Sequence, residues 1–164
     1  MHKQFPLLIA LLLFFLISVG AGILRQSGSP GGRTNSPGDG QNCTACHSGT
    51  ASSAENWIET NIPETGYEPG ETYQITVTGT DTNAVVMGFE LTAEFTDGTK
   101  TGTFAISDAD RTQLVNDDAA VTHTTSGTQM SDSSNSWTTE WTAPENASET
   151  IGFYAAVNAA NGDE

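Results

Sequence analysis

The chain has 164 residues, which suits one domain with a small appendage. Lys+Arg 5 against Asp+Glu 20 give a formal net charge of -15, which argues against a nucleic-acid binder and a binder of anionic membrane surfaces, since both need cations in number. Only 15% of residues are charged, and lysine occurs only at positions 3 and 100, so long charged helices and coiled coils are excluded too.

The chain opens on a targeting pattern. Met1 to Lys3 is a short basic region, Phe5 to Val19 is almost wholly apolar, and small residues follow to Gly22. This predicts a secretory signal peptide over 1–21, with an uncleaved anchor as the rival because Phe5 to Leu24 is 20 residues, enough to span a bilayer. Either reading places the rest outside the cytoplasm: secreted, at the cell surface or periplasmic. Membrane contact, if there is any, is expected only through this segment.

Residues 22–55 form a second region. Gln26 to Gly40 holds five Gly, two Pro and three Ser, a composition that builds no core and predicts irregular or flexible chain. Then comes Asn42-Cys43-Thr44-Ala45-Cys46-His47-Ser48-Gly49, where Asn42 can cap and Gly49 can stop one or two helical turns.

From 56 to 164 the pattern is β. Trp57 to Ile62 predicts a first strand, ended by Pro63, and Pro69-Gly70 a turn. Tyr73, Ile75 and Val77 alternate with polar residues, as do Met87, Phe89, Leu91, Ala93 and Phe95 with Gly88, Glu90, Thr92 and Glu94. Asp97-Gly98 is a hairpin-type turn. Short strands are expected at Thr103 to Ile106 and Val121 to Thr124, around Trp137, Thr139 and Trp141, and around Ile151, Phe153 and Ala155. Asp108 to Asp118 is expected to be a solvated acidic loop, because it lacks the spacing of a calcium loop. About seven such strands, rich in Thr and aromatics, predict an all-β fold: an Ig-like antiparallel β-sandwich.

The chemistry is concentrated in Cys43-Thr44-Ala45-Cys46-His47. C-x-x-C-H is the pattern of c-type haem attachment. Two thiols three apart on a turn reach both vinyl groups of one haem, and the next imidazole projects onto the iron. The expected cofactor is one covalent haem c on Cys43 and Cys46, with His47 as the proximal axial ligand. Candidates for the distal iron ligand are His123, Met130 and Met87. Met87 lies in phase with Phe89 and Leu91 and is expected in the core. His123 has its own structural reading, since a histidine on a strand packs more often than it binds metal. The segment around the motif carries almost no large apolar side chain, so the haem would lie against the sandwich or stay exposed, with Trp57 as a nearby wall or else a core residue. Two other readings of the cysteines stay open: a Cys43–Cys46 disulfide, and a zinc site that needs one more ligand. The spacing of Ser, His and Asp singles out no catalytic set.

Several pieces in order, Tyr67-Glu-Pro-Gly-Glu-Thr-Tyr73, Gly88-Phe89, Gly102-Thr-Phe104, Thr122-His123-Thr124, Trp141-Thr-Ala-Pro144 and Gly152-Phe-Tyr-Ala155, resemble the Reeler (reelin-type) domain. The whole chain looks like a bacterial secreted family in which a Reeler-like, or choice-of-anchor, sandwich follows a single C-x-x-C-H. The resemblance implies a Reeler-like sandwich and strengthens the structural reading of His123 and Trp141. The functional expectation is an exported monohaem c-type protein that transfers electrons, its acidic surface steering a basic redox partner. An open sixth position would make it a haem enzyme. The alternative is a surface adhesion or ligand-binding module with a Cys43–Cys46 disulfide and no haem.

Overall fold

A computed structural model describes residues 26–146 and 149–162. The expected signal or anchor over 1–21 lies outside the described residues. Eight strands follow in order: β1 Ile58–Thr60, β2 Thr72–Thr80, β3 Val86–Phe95, β4 Thr103–Ala105, β5 Thr112–Val115, β6 Ala120–His123, β7 Ser134–Thr142 and β8 Ile151–Ala160. They form two four-stranded antiparallel sheets, one in the order β1-β2-β7-β4 and the other β5-β6-β3-β8.

The period-2 pattern is why these residues make a sandwich. On β2, Tyr73, Ile75 and Val77 point inward, and on β7 so do Trp137, Thr139 and Trp141. Met87, Phe89, Leu91 and Ala93 of β3 meet them from the other sheet and complete the core. Phe89 stacks on Trp137 with ring centroids 4.4 Å apart, while Tyr67 and Phe153 meet Trp141 edge-on at 6.0 and 5.0 Å. Both buried indoles are satisfied: Trp137 Nε1 donates to Gly127 O at 2.7 Å and Trp141 Nε1 to Thr101 O at 3.1 Å. On the outer face of the first sheet, hydroxyl pairs tie β2 to β7: Thr72 to Thr142, Thr76 to Thr138 and Thr78 to Ser136, at 2.8 to 3.0 Å.

The strand expectations hold apart from one. The acidic stretch expected to be a loop contains β5, which pairs with β6 through Thr112↔His123 and Leu114↔Val121. Its strand is short and its turn, Asn116 to Asp118, takes left-handed φ of 53 to 65°. Asn and Asp tolerate that region, so the residues that read as a solvated loop are the hairpin turn itself.

β3 departs from simple alternation. Its outward residues Gly88, Glu90, Thr92 and Glu94 are as buried as its inward ones. The cover is the Gly-rich segment before the cysteines, irregular in backbone as expected but laid across the sheet as a strap, with Thr34 and Ser36 buried. This strap positions the site.

Candidate functional site

The strap is held by the outer face of the second sheet. Ser29 N donates to Thr122 Oγ1 at 3.0 Å, Arg33 N to Glu90 Oε1 at 3.1 Å, and Gly38 N to Glu94 Oε2 at 2.9 Å. Ser36 Oγ also bonds the Glu94 carboxylate. Gly28 is required by close approach: it has φ of 122°, and a Cβ there would lie 2.8 Å from His123 O.

Lys100 closes the far end. Its Nζ stands 2.5 Å from both Asp39 Oδ1 and Glu94 Oε1. Burial pushes Asp39 up, but bonds from Lys100 and Thr34 outweigh it and hold the carboxyl below its ordinary 3.8. Burial likewise pushes Lys100 down, but Asp39 and Glu94 together raise it above 10.5.

At the near end the strap stands off the sheet and leaves a cavity of about 470 Å³. Its floor is β3 at Val86, Gly88, Phe89 and Glu90, with His123 of β6 beside it. One wall is the strap at Gly28 to Arg33, another the end of β8 at Asn158 to Ala160. The rim is the cysteine segment, where Cys43–Ala45 forms one 3₁₀ turn. Asn42 caps it as expected, Oδ1 accepting from Thr44 N at 2.9 Å. Cys46 N and His47 N both donate to Cys43 O, at 3.1 and 2.9 Å, which keeps the pentapeptide on a single turn.

The cavity brings together Cys43, Cys46, His47 and His123 of the expected site residues. Both cysteines are free thiols, Cys43 half-buried and Cys46 exposed. Burial, and then the charge of Glu90, push the Cys43 thiol above its ordinary 9.0. His47 is exposed. His123 is 8% exposed, and its Nδ1 lies 3.0 Å from Phe89 N and 3.1 Å from Phe89 O, the bonding of a packed structural histidine. Met130 does not join them; it packs half-buried against the core. Met87 is in the core, as its phase predicts. Trp57 is half-buried at the start of β1 and walls no part of the cavity.

Sequence reasoning missed two residues of the cavity, Arg33 and Glu90. Glu90 Oε2 and Arg33 Nε are buried with no hydrogen-bond partner. The pattern for Glu90 was that of a solvent-facing residue, and only the strap buries it.

Residues 40–161 match the Reeler domain family. The chain belongs to that family. Solved structures similar to this sandwich include human F-spondin reeler domain fragment 1, 22% identical over 69% of this chain and 83% of that one, with a TM-score of 0.52. The Reelin-N domain of F-spondin is 23% identical over 63% of this chain and 72% of that one, with a TM-score of 0.51. Fragment 2 of the human F-spondin reeler domain is 22% identical over 62% of this chain and 76% of that one, with a TM-score of 0.50. At these identities the likeness shows the fold alone. Among curated proteins none matches this chain.

Membership in the Reeler family corrects the expectation of haem c. The matched range includes the C-x-x-C-H turn, and the Reeler domains to which the chain is similar are not haem proteins. Among the described residues no three His, Cys, Asp or Glu groups converge as a metal-holding set. In the structure His123 is tied by Nδ1 to β3, Cys46 and His47 are exposed, and Met130 packs half-buried against the core. The assignments of Cys43 and Cys46 to covalent haem, of His47 to proximal iron, and of His123 and Met130 to distal iron are withdrawn with the cofactor. Electron transfer through that haem has no support in the family or the fold.

Proposed function

We propose that this chain is an exported ligand-binding module, a Reeler sandwich that takes a small molecule into the cavity between its strap and the β3–β8 face. The single observation that carries the reading is that cavity. Its volume, about 470 Å³, falls in the range of sites for small organic ligands, and its lining combines apolar and polar groups. Export is read from the first 21 residues and puts the module in an oxidising compartment. There Cys43 and Cys46 join in a disulfide that closes the rim. The two thiols give up two protons and two electrons to a disulfide carrier of the export compartment, which is reduced to its dithiol.

Two measurements test the reading. The intact mass of the exported protein should be two hydrogens below that of the dithiol form and return on reduction, whereas two titratable thiols in freshly exported protein would refute the disulfide. A fragment screen by NMR should shift the amides of Gly88, Phe89 and Ala159 together. Shifts confined to other faces of the sandwich would remove the cavity from the function.

A further inference from the structure

The strap is held unequally along its length. Residues 34–39 are locked to the sheet. Thr34 N donates to Asp39 Oδ2 at 3.1 Å, Ser36 Oγ and Gly38 N bond Glu94, and Lys100 Nζ joins Asp39 to Glu94 at 2.5 Å on either side. Thr34 and Ser36 are buried. Residues 27–32, the part that walls the cavity, carry no charged side chain. They reach the sheet through Ser29 N, which donates to Thr122 Oγ1 at 3.0 Å, and through Ser27 O, which accepts from Gln113 Nε2. Apart from Gly28 they are half-buried or exposed.

The junction between the two parts is incompletely bonded. Glu90 is 1% exposed; its Oε1 accepts from Arg33 N at 3.1 Å and its Oε2 has no partner. Arg33 Nη1 turns back to Gly32 O at 2.9 Å, while Nε is buried with no partner. Both atoms are closed to water, so any opening that hydrates them is favoured by the bonds they gain. Glu94 on the same face of β3 is the contrast, with Ser36, Gly38 and Lys100 all bonded to its carboxylate. Gly32 sits at the junction with φ of 71°, and a Cβ there would meet nothing nearer than Asp39 Oδ1 at 4.0 Å. The chain can turn at this point without disturbing a packed side chain.

We infer that residues 27–32 are a lid on the cavity that pivots at Gly32 while residues 34–39 stay locked on β3. Raising the lid breaks the bonds of Ser27 and Ser29, frees Arg33 Nη1 from Gly32 O, and lets water reach Arg33 Nε and Glu90 Oε2. Lowering it rebuilds the wall at Gly28, Ser29 and Pro30. The closed lid thus holds two unhydrated polar atoms that the open lid does not, and opening needs only a local break in bonding. The purpose of the lid, to admit a ligand and then enclose it, rests on the ligand-binding reading; the motion is tested without a ligand.

The test is native-state hydrogen exchange, read by NMR on the exported protein at rising urea below its unfolding transition. Ser29 N–H should exchange at least about tenfold faster than Gly38 N–H, at a rate that urea leaves unchanged, because a local opening exposes little surface. Gly38 N–H should accelerate with urea. The double variant Arg33→Met/Glu90→Gln removes both buried charges and keeps an acceptor for the backbone N–H at position 33. It should slow the exchange of Ser29 by about fivefold or more. One shared rate and one shared urea dependence for Ser29 and Gly38 would make the strap a single unit and overturn the lid. A folded double variant in which Ser29 exchanges as fast as in the wild type, or faster, would overturn the part given to Arg33 and Glu90. Should that variant fail to fold by circular dichroism, the wild-type comparison decides alone. Either failure leaves the ligand-binding reading to the fragment screen, which does not depend on the lid.

Discussion

Gly88 lies directly against the imidazole of His123: a Cβ on Gly88 would stand 2.7 Å from Nε2 and 2.8 Å from Nδ1. The absence of a side chain at Gly88 thus leaves room for the ring, whose Nδ1 reaches Phe89 N, and both residues line the cavity. Gly88→Ala is expected to push the ring aside and cost roughly 1–3 kcal/mol, the scale for overpacking a buried contact. His123→Ala removes the partner of Phe89 N and is expected to cost a similar amount, about 1–3 kcal/mol. Denaturant midpoints of the two variants check this, and an unchanged midpoint for both would show that the ring does not support β3.

Lys100 is the only cation within reach of Glu94 and Asp39 among the described residues. Lys100→Met is expected to destabilise the protein by about 3 kcal/mol, the low end for breaking a buried pair, since the Lys100 side chain is 25% exposed. Loss of the strap's protection from amide hydrogen exchange at Arg33 and Gly38 would accompany it.

The same trio sets a pH dependence. The folded pKa of Asp39 is depressed, so its contribution is present above 3.8 and is lost as pH falls below that value. The folded pKa of Lys100 is raised, so its contribution is complete below 10.5 and is lost as pH rises beyond it. Urea unfolding across pH should therefore show strap-dependent stability that is flat through neutrality and declines at both extremes. Lys100→Met should flatten both declines.

Gly102 combines a φ of 70° with contact against Trp141, where a Cβ would come within 2.6 Å of Cζ2. Gly102→Ala should displace the indole from Thr101 O and strain the backbone, costing at least about 2 kcal/mol. Near-ultraviolet circular dichroism should report the loss of fixed tryptophan packing, and a wild-type spectrum and melting temperature would count against this account.

In the reduced protein the two thiols should differ. Cys43 is half-buried and held protonated by burial and by Glu90, while Cys46 is exposed. Alkylation followed by peptide mass mapping should find Cys46 modified first. Glu90→Gln, which removes the carboxylate's charge, should speed Cys43 and leave Cys46 as it was. Equal rates at both positions in the native protein would contradict the burial of Cys43.

Much of the sandwich was legible in the chain. Strict alternation at Tyr73, Ile75 and Val77 and at Met87, Phe89 and Leu91 predicts inward faces that the structure buries. The Asn42 cap and the Asp97-Gly98 turn were equally readable, because capping and turn chemistry depend on neighbours in sequence. The β5 strand was not, because its four residues sit among Asp and Asn that serve as its turn. The haem expectation shows the other limit: five residues can carry a motif while the domain around them belongs to a family without that cofactor.

Sequence alone determined the β class, the positions of seven of the eight strands, the core residues and the turn that holds Cys43, Cys46 and His47, because each follows from periodicity or local bonding. Only the tertiary structure decided what covers the outer face of β3. Arg33 meets Glu90 across 57 positions and Ser36 meets Glu94 across 58, and no period or local rule links residues so far apart. That covering turns Glu90 from an apparent surface residue into a buried one beside the cavity, its Oε1 bonded to Arg33 N and its Oε2 without a partner. The physical reason is that burial belongs to the folded arrangement: a strap of Gly, Ser and Pro, too poor in apolar groups to form a core, still excludes water by hydrogen-bonding to a sheet that already exists.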